Sequence, residues 1–304
     1  MKSLAVATLS VLLATITSVY AGENEKGEQF ETGGVKIWYE VRGGGSGTPL
    51  VLANGGPGFD HTYLHVSHVW DTLAQSRRVI FYDQRGDGQS SQLTTGQTCT
   101  LADQISDLDA LRAHLGIDKM DLLGHSWGGY LAMAYAARHP EHIHRLIICD
   151  SAAPKWSDTR FLFNDIFPEG VAKQDALTFA DALGDKAATA ESMRLYLRML
   201  FYSPEKRDAA QPAMTGSVYR TEINKKLNDD VARFDLNPEL PKYHFPTLVL
   251  SGRYDINVAP SVAWKIHNAI PGSQFAVFEK SGHLPFYEEP EAFLSVLQPF
   301  LDGR

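Results

Sequence analysis

Short apolar runs alternate along this chain with longer stretches of helical periodicity. Val35 to Val41 alternates apolar and polar side chains, as a half-buried strand does. Pro49 to Ala53, Val79 to Tyr82, Met120 to Leu123, Leu146 to Cys149, Leu248 to Leu250 and Phe275 to Phe278 are apolar runs too short for helices. Such runs suit strands buried on both faces of a parallel sheet. Thr100 to Leu115, Gly128 to Arg138 and Val262 to Ile270 carry the helical pattern between them. Strands that alternate with helices need crossover connections, so the pattern predicts an α/β fold with a doubly wound, mainly parallel sheet.

One interval breaks the rhythm. From Ala153 to about Lys242 the chain shows only amphipathic helical stretches, including Ala190 to Leu200. Strand signals flank this block, so it reads as a helical cap, residues 153–242, inserted into a core of residues 22–152 and 243–304. The Gly43-Gly44-Gly45-Ser46-Gly47 tract reads as a flexible turn, because it lacks the lysine and following helix of a phosphate loop.

Composition and charge narrow the function classes. Of 304 residues, 44% are apolar and 21% charged, the balance of an ordinary soluble globular protein. A formal net charge of -8 opposes a nucleic-acid partner, whose phosphates must be neutralised by Lys and Arg. Lys2, the weakly apolar stretch Leu4 to Val19 and the small residues before Gly22 read as a signal peptide over residues 1–21. The stretch is short for a membrane anchor, so the expected setting is periplasmic or extracellular, without stable membrane insertion. Cys99 and Cys149 are the two cysteines. They have an oxidising compartment in which to pair, but Cys149 ends an apolar strand where cysteine acts as a small hydrophobe. No CxxC or His/Cys cluster with ligand spacing points to a metal.

The candidate chemistry lies at Gly124-His125-Ser126-Trp127-Gly128, a G-x-S-x-G sequence between a predicted strand and a predicted helix. A sharp strand-to-helix turn puts its serine in a strained backbone state, and flanking glycines remove the collisions this creates. The turn exposes the Ser126 hydroxyl and brings the first helical amides, Trp127 included, to face a developing oxyanion. Serine needs a base, itself oriented by a third group. In this fold the order is Ser, acid, His. His283, on the loop after Phe275 to Phe278, is the expected base, with His267 the weaker candidate inside a helix. Asp255, after Leu248 to Leu250, is the expected acid, and Asp150, also after a strand, is its competitor. His125 reads as packing.

These motifs, with Asn54-Gly55-Gly56-Pro57-Gly58 and Asp83-Gln84-Arg85-Gly86-Asp87-Gly88-Gln89-Ser90, resemble the proline iminopeptidase-like branch of the α/β hydrolases. The resemblance spans nearly all the chain outside the leader and cap. It implies a capped α/β-hydrolase fold, no cofactor, an acyl-enzyme mechanism and a Gly56 amide as second oxyanion donor. It casts Asp83 and Arg85 as loop-holding residues. Asn54 stands where the family usually has His, and His125 departs from the usual G-G-S-W-G. The family's cap glutamates, which hold a substrate amino terminus, have Glu169, Glu191 and Glu222 as candidates here, Glu222 foremost. The expected activity is cleavage of short peptides or amino-acid amides, the alternative an ester or lactone of a small molecule. A non-catalytic binding protein on the same fold is the rival of another class, and filled triad positions oppose it.

Overall fold

Every apolar run named above becomes a strand, and one strand more opens the sheet. A computed structural model describes residues 27–182 and 185–304; the leader expected over residues 1–21 lies outside the described residues. In chain order the elements are β1 (Glu28–Thr32), β2 (Val35–Arg42), β3 (Gly47–Ala53), α1 (Val69–Ala74), β4 (Arg77–Tyr82), α2 (Leu101–His114), β5 (Met120–His125), α3 (Trp127–Arg138) and β6 (Ile143–Cys149). Five cap helices follow: α4 (Phe163–Ile166), α5 (Pro168–Ala182), α6 (Lys186–Leu200), α7 (Pro204–Met214) and α8 (Thr221–Val231). The chain then returns through β7 (Thr247–Gly252), α9 (Pro260–Ala269), β8 (Gln274–Phe278), α10 (Pro285–Glu288) and α11 (Pro290–Leu301).

The eight strands form one mixed sheet in the order β1-β2-β4-β3-β5-β6-β7-β8. Only the β1–β2 and β2–β4 pairings are antiparallel. β1 escaped the sequence reading because Glu28-Gln29-Phe30-Glu31-Thr32 is an edge strand whose side chains mostly face solvent. Charged edge positions also protect a sheet from pairing with other chains.

Strand periodicity sends alternate side chains to opposite faces, and both faces are covered. Leu50 and Leu52 join Trp70 of α1 and Phe293 of α11 in one core. Val51 and Ala53 join Leu108 of α2, Tyr130 of α3 and Ile266 of α9 in the other. Cys99 belongs to the second core and Cys149 to the first, so the sheet separates them; both are free and buried. Among the described residues no helix is long and apolar enough to cross a membrane.

Helix α2 illustrates the local rules. Thr100 caps it, its hydroxyl accepting from the Asp103 amide while the Asp103 carboxylate accepts from the Thr100 amide, a complete capping box.

Candidate active site

The parallel strands end at one edge of the sheet, where α/β folds place their ligand crevices. At this edge β3 leads to Gly55 and Gly56, β5 to Ser126, β7 to Asp255 and β8 to His283. The topology alone therefore gathers five of the six site residues expected from the sequence, Trp127 following Ser126 as the first residue of α3.

Ser126 has φ 58° and ψ -120°, one of two non-glycine residues with positive φ among those described. Its amide donates to the Cys149 carbonyl (3.0 Å) and its carbonyl accepts from Gly129 (3.0 Å), which fixes the turn between β5 and α3. The glycines around it answer to close approach rather than to flexibility. A Cβ at Gly124 would lie 2.1 Å from the Gly128 carbonyl oxygen, and one at Gly128 1.9 Å from that of Ala53. Backbone packs on backbone here, and no side chain fits.

His283 is buried beside this turn. Its Nδ1 lies 2.7 Å from Asp255 Oδ2, and Asn257 Nδ2 donates to its Nε2 at 2.8 Å. An Nε2 that accepts leaves the proton on Nδ1, so the imidazole is neutral and donates to Asp255. Asp255 Oδ1 is held in turn by the amides of Asn257 (2.8 Å) and Val258 (2.9 Å). Asp150, the competing acid, lies beside this pair, with ligand-capable atoms of all three within 4.8 Å of one another. It accepts instead from the Gly252 amide (2.8 Å). Burial, and then the charge of Asp255, hold its carboxyl well above the ordinary carboxylate range. His267 sits on α9, bonded to Ser273, outside this cluster.

The D-Q-R-G segment braces the crevice from below. Gln84 takes the Trp127 indole N–H (2.8 Å) and donates to the Asn54 carbonyl (2.9 Å), tying the elbow helix to the glycine loop. Asp83 accepts from His61 and Gln89, and Arg85 forms a two-pronged pair with Asp107, both contacts 2.7 Å.

Above the sheet edge is a cleft with about 420 Å³ of empty space, reached by Ser126, His283, Gly55 and Gly56. Its cap wall is apolar: Met193, Leu197 and Leu200 of α6 and Met214 of α7, with Tyr196 and Ser217 as polar points. No carboxylate lines it among the described residues. Glu222 is elsewhere, on α8, with its side chain 78% exposed and paired to Lys226 at 3.0 Å. Glu191 pairs with Lys173 and Arg194, and Glu169 is exposed on α5. The cap thus differs from the sequence expectation at Glu222, because α6 and α7 wall the cleft and no residue of α8 lines it. Tyr63 and Asn257 escaped sequence reading, since single polar residues outside any motif carry no pattern signal, and Gln84 stood in the D-Q-R-G motif without a role of its own. Two other groups, Glu40 with His61 and His65, and Asp109 with His139 and His142, bring ligand-capable atoms together but do not line the cleft.

Residues 48–290 match the family model described as alpha/beta hydrolase fold. The chain is 32% identical to a proline iminopeptidase of Clostridium botulinum, over 88% of this chain and 94% of that protein. It is 34% identical to one of Lactobacillus helveticus, over 88% and 95%. Among solved structures, a thermophilic esterase from Thermogutta terrifontis aligns with TM-score 0.69 and 26% identity, covering 91% of this chain and 98% of that one. An esterase from a Rhodococcus species aligns with TM-score 0.72 and 25% identity, covering 90% and 98%.

Proposed function

The chain belongs to the α/β-hydrolase fold family, and on that premise we propose that it hydrolyses acyl bonds with Ser126 as nucleophile, His283 as base and Asp255 as the base's orienter. His283 Nε2 takes the Ser126 hydroxyl proton as Oγ bonds to the substrate carbonyl carbon. Asn257 donates into the same lone pair, so its amide must turn aside at this step. The amides of Gly56 and Trp127 are the donors proposed for the oxyanion. As the tetrahedral centre collapses, the bond to the leaving group breaks and that group takes the proton from His283. Water then repeats the sequence: His283 accepts its proton, its oxygen displaces Ser126, and the acid product leaves.

For the substrate, the observation that weighs most is the apolar cap wall without a carboxylate. A free α-ammonium buried there has no counter-ion, and an unpaired buried charge is costly. An uncharged ester or lactone with a small apolar acyl group meets no such penalty. Prolyl aminopeptidase activity is the second reading, favoured by the names of the relatives at 32–34% identity. A panel of p-nitrophenyl acyl esters, lactones and prolyl and other aminoacyl amides separates the two. Ester or lactone turnover with no aminoacyl-amide turnover supports the first; efficient prolyl-amide cleavage with poor ester turnover overturns it.

We also propose that the mature chain is exported, on the leader-like character of residues 1–21 alone. Amino-terminal sequencing after expression with the full leader tests this. A start near Gly22 supports it, and an intact start in the cytoplasmic fraction overturns it.

A further inference from the structure

The residue before the nucleophile is a fully buried histidine with both ring nitrogens engaged. The amide of Gly55 donates to the Tyr63 hydroxyl (2.6 Å), that hydroxyl meets His125 Nδ1 (2.7 Å), and His125 Nε2 meets the backbone carbonyl of His283 (2.8 Å). A carbonyl only accepts, so Nε2 carries the proton and Nδ1 accepts from Tyr63. Every donor then points the same way, from the glycine loop through Tyr63 and His125 to the loop of the base. Burial, together with the neighbouring His283, keeps the His125 ring from protonating, which preserves this direction.

The other peptide group of His283 is held from the cap side, where its amide donates to the Leu200 carbonyl (2.7 Å). His125 therefore supplies the core-side half of a two-ended grip on the base's main chain. An apolar side chain at 125 leaves the His283 carbonyl and the Tyr63 hydroxyl without these partners in a dry environment.

We propose that His125, with Tyr63, is a positioning residue that sets the base relative to the glycine loop, so that proton transfer and oxyanion stabilisation occur in register. This rests on the acyl-hydrolase reading above. Both residues line the cleft beside Ser126 and His283, and the role assigned to them here is exerted through His283 and Gly55.

The test is steady-state kinetics of H125A, H125Q, Y63F and the double variant Y63F/H125A on an ester the parent enzyme turns over, rates being normalised to folded protein. H125A should lower kcat about 10–100-fold with KM changed less than about threefold, since small misplacements of catalytic groups act on the chemical step. H125Q, whose amide nitrogen reaches the place of Nε2, should recover most of that loss. The double variant should be no slower than H125A, because both changes cut one chain. Parent-like kcat in H125A overturns the proposal, as do multiplying losses in the double variant. If H125A does not fold, H125Q and Y63F decide it: a KM rise without a kcat loss in Y63F overturns it, and a selective kcat loss there with near-parent kcat in H125Q supports it. A folded parent chain that a fluorophosphonate fails to label refutes the acyl-hydrolase reading itself and the proposal with it. A labelled, active parent with a parent-like H125A refutes the proposal alone.

Discussion

At the scale of single residues, chemistry and strain meet at Ser126. Its positive φ is a conformation that L side chains rarely adopt, held by backbone bonds to Cys149 and Gly129. Replacing Ser126 by Ala removes only the hydroxyl, so folding and thermal stability should hold. Turnover and fluorophosphonate labelling should both vanish, and turnover in a folded S126A would refute the mechanism. Asp87 is a different kind of residue. It is buried, and neither carboxyl oxygen has a hydrogen-bond partner. Burial holds its carboxyl well above the ordinary carboxylate range, with the charge of Asp83 adding to the effect. In the unfolded chain Asp ionises near pH ~4, so above that pH the folded chain binds the extra proton. Stability must then fall as pH rises toward the folded value. Asp87→Asn should flatten this loss. Urea midpoints measured at a series of pH values from about 5 to about 8 would show it, and an unchanged slope would count against a raised carboxyl.

Elements supply the rigidity that residues borrow. The elbow works because α3 approaches β5 through Gly124 and Gly128, and approaches the Ala53 backbone of β3 through Gly128, with no room at Gly128 for a methyl group. Gly128→Ala should therefore destabilise the protein by roughly 1–3 kcal/mol or more, and lower activity by moving the elbow against β3. Helix α2 offers a milder contrast. Thr100→Ala removes the side-chain half of a capping box at its start, at a residue that does not line the cleft, and should cost about 1 kcal/mol with kcat unchanged. Chemical denaturation of the two variants, read beside their kinetics, distinguishes a packing fault in the site from a stability fault outside it.

For the whole molecule, the sheet edge and the cap each contribute half of a site. The edge brings loops from β3, β5, β7 and β8 together. The cap closes over them through the Arg220 amide on the Gly58 carbonyl (2.8 Å) and the His283 amide on the Leu200 carbonyl (2.7 Å). Glu288 adds a tie, accepting from Gly282 (2.6 Å) in the base loop and Ser203 (2.8 Å) in the cap. Its replacement by Ala should loosen cap and base loop together. The expected result is a lower melting temperature and faster proteolysis within the cap, with the rest of the sheet staying protected. Uniform protection in both proteins would show that the cap is held by other contacts.

What was legible in the sequence was local or periodic. The strand runs, the helices between them and the elbow at Ser126 each follow from short-range patterns that sterics impose on any chain, while Asp255 and His283 were expected from the chain order of the fold. The two-sided apolar runs required a sheet covered on both faces, but that Cys99 and Cys149 lie in opposite cores was decided by the tertiary structure. Other features depended on three-dimensional placement. Asp150 and Asp255 both follow strands, and only the approach of His283 Nδ1 to one of them distinguishes their roles. His125 read as packing because sequence cannot show that its two nitrogens meet Tyr63 and a carbonyl 158 residues away. Glu222 read as facing the substrate because sequence does not show which cap helices wall the cleft, and those are α6 and α7. Sequence determines which residues have the chemistry and which elements carry them. Tertiary structure decides which of those side chains share a dry space, because hydrogen bonds and buried charges depend on distances of a few ångströms that no local pattern encodes.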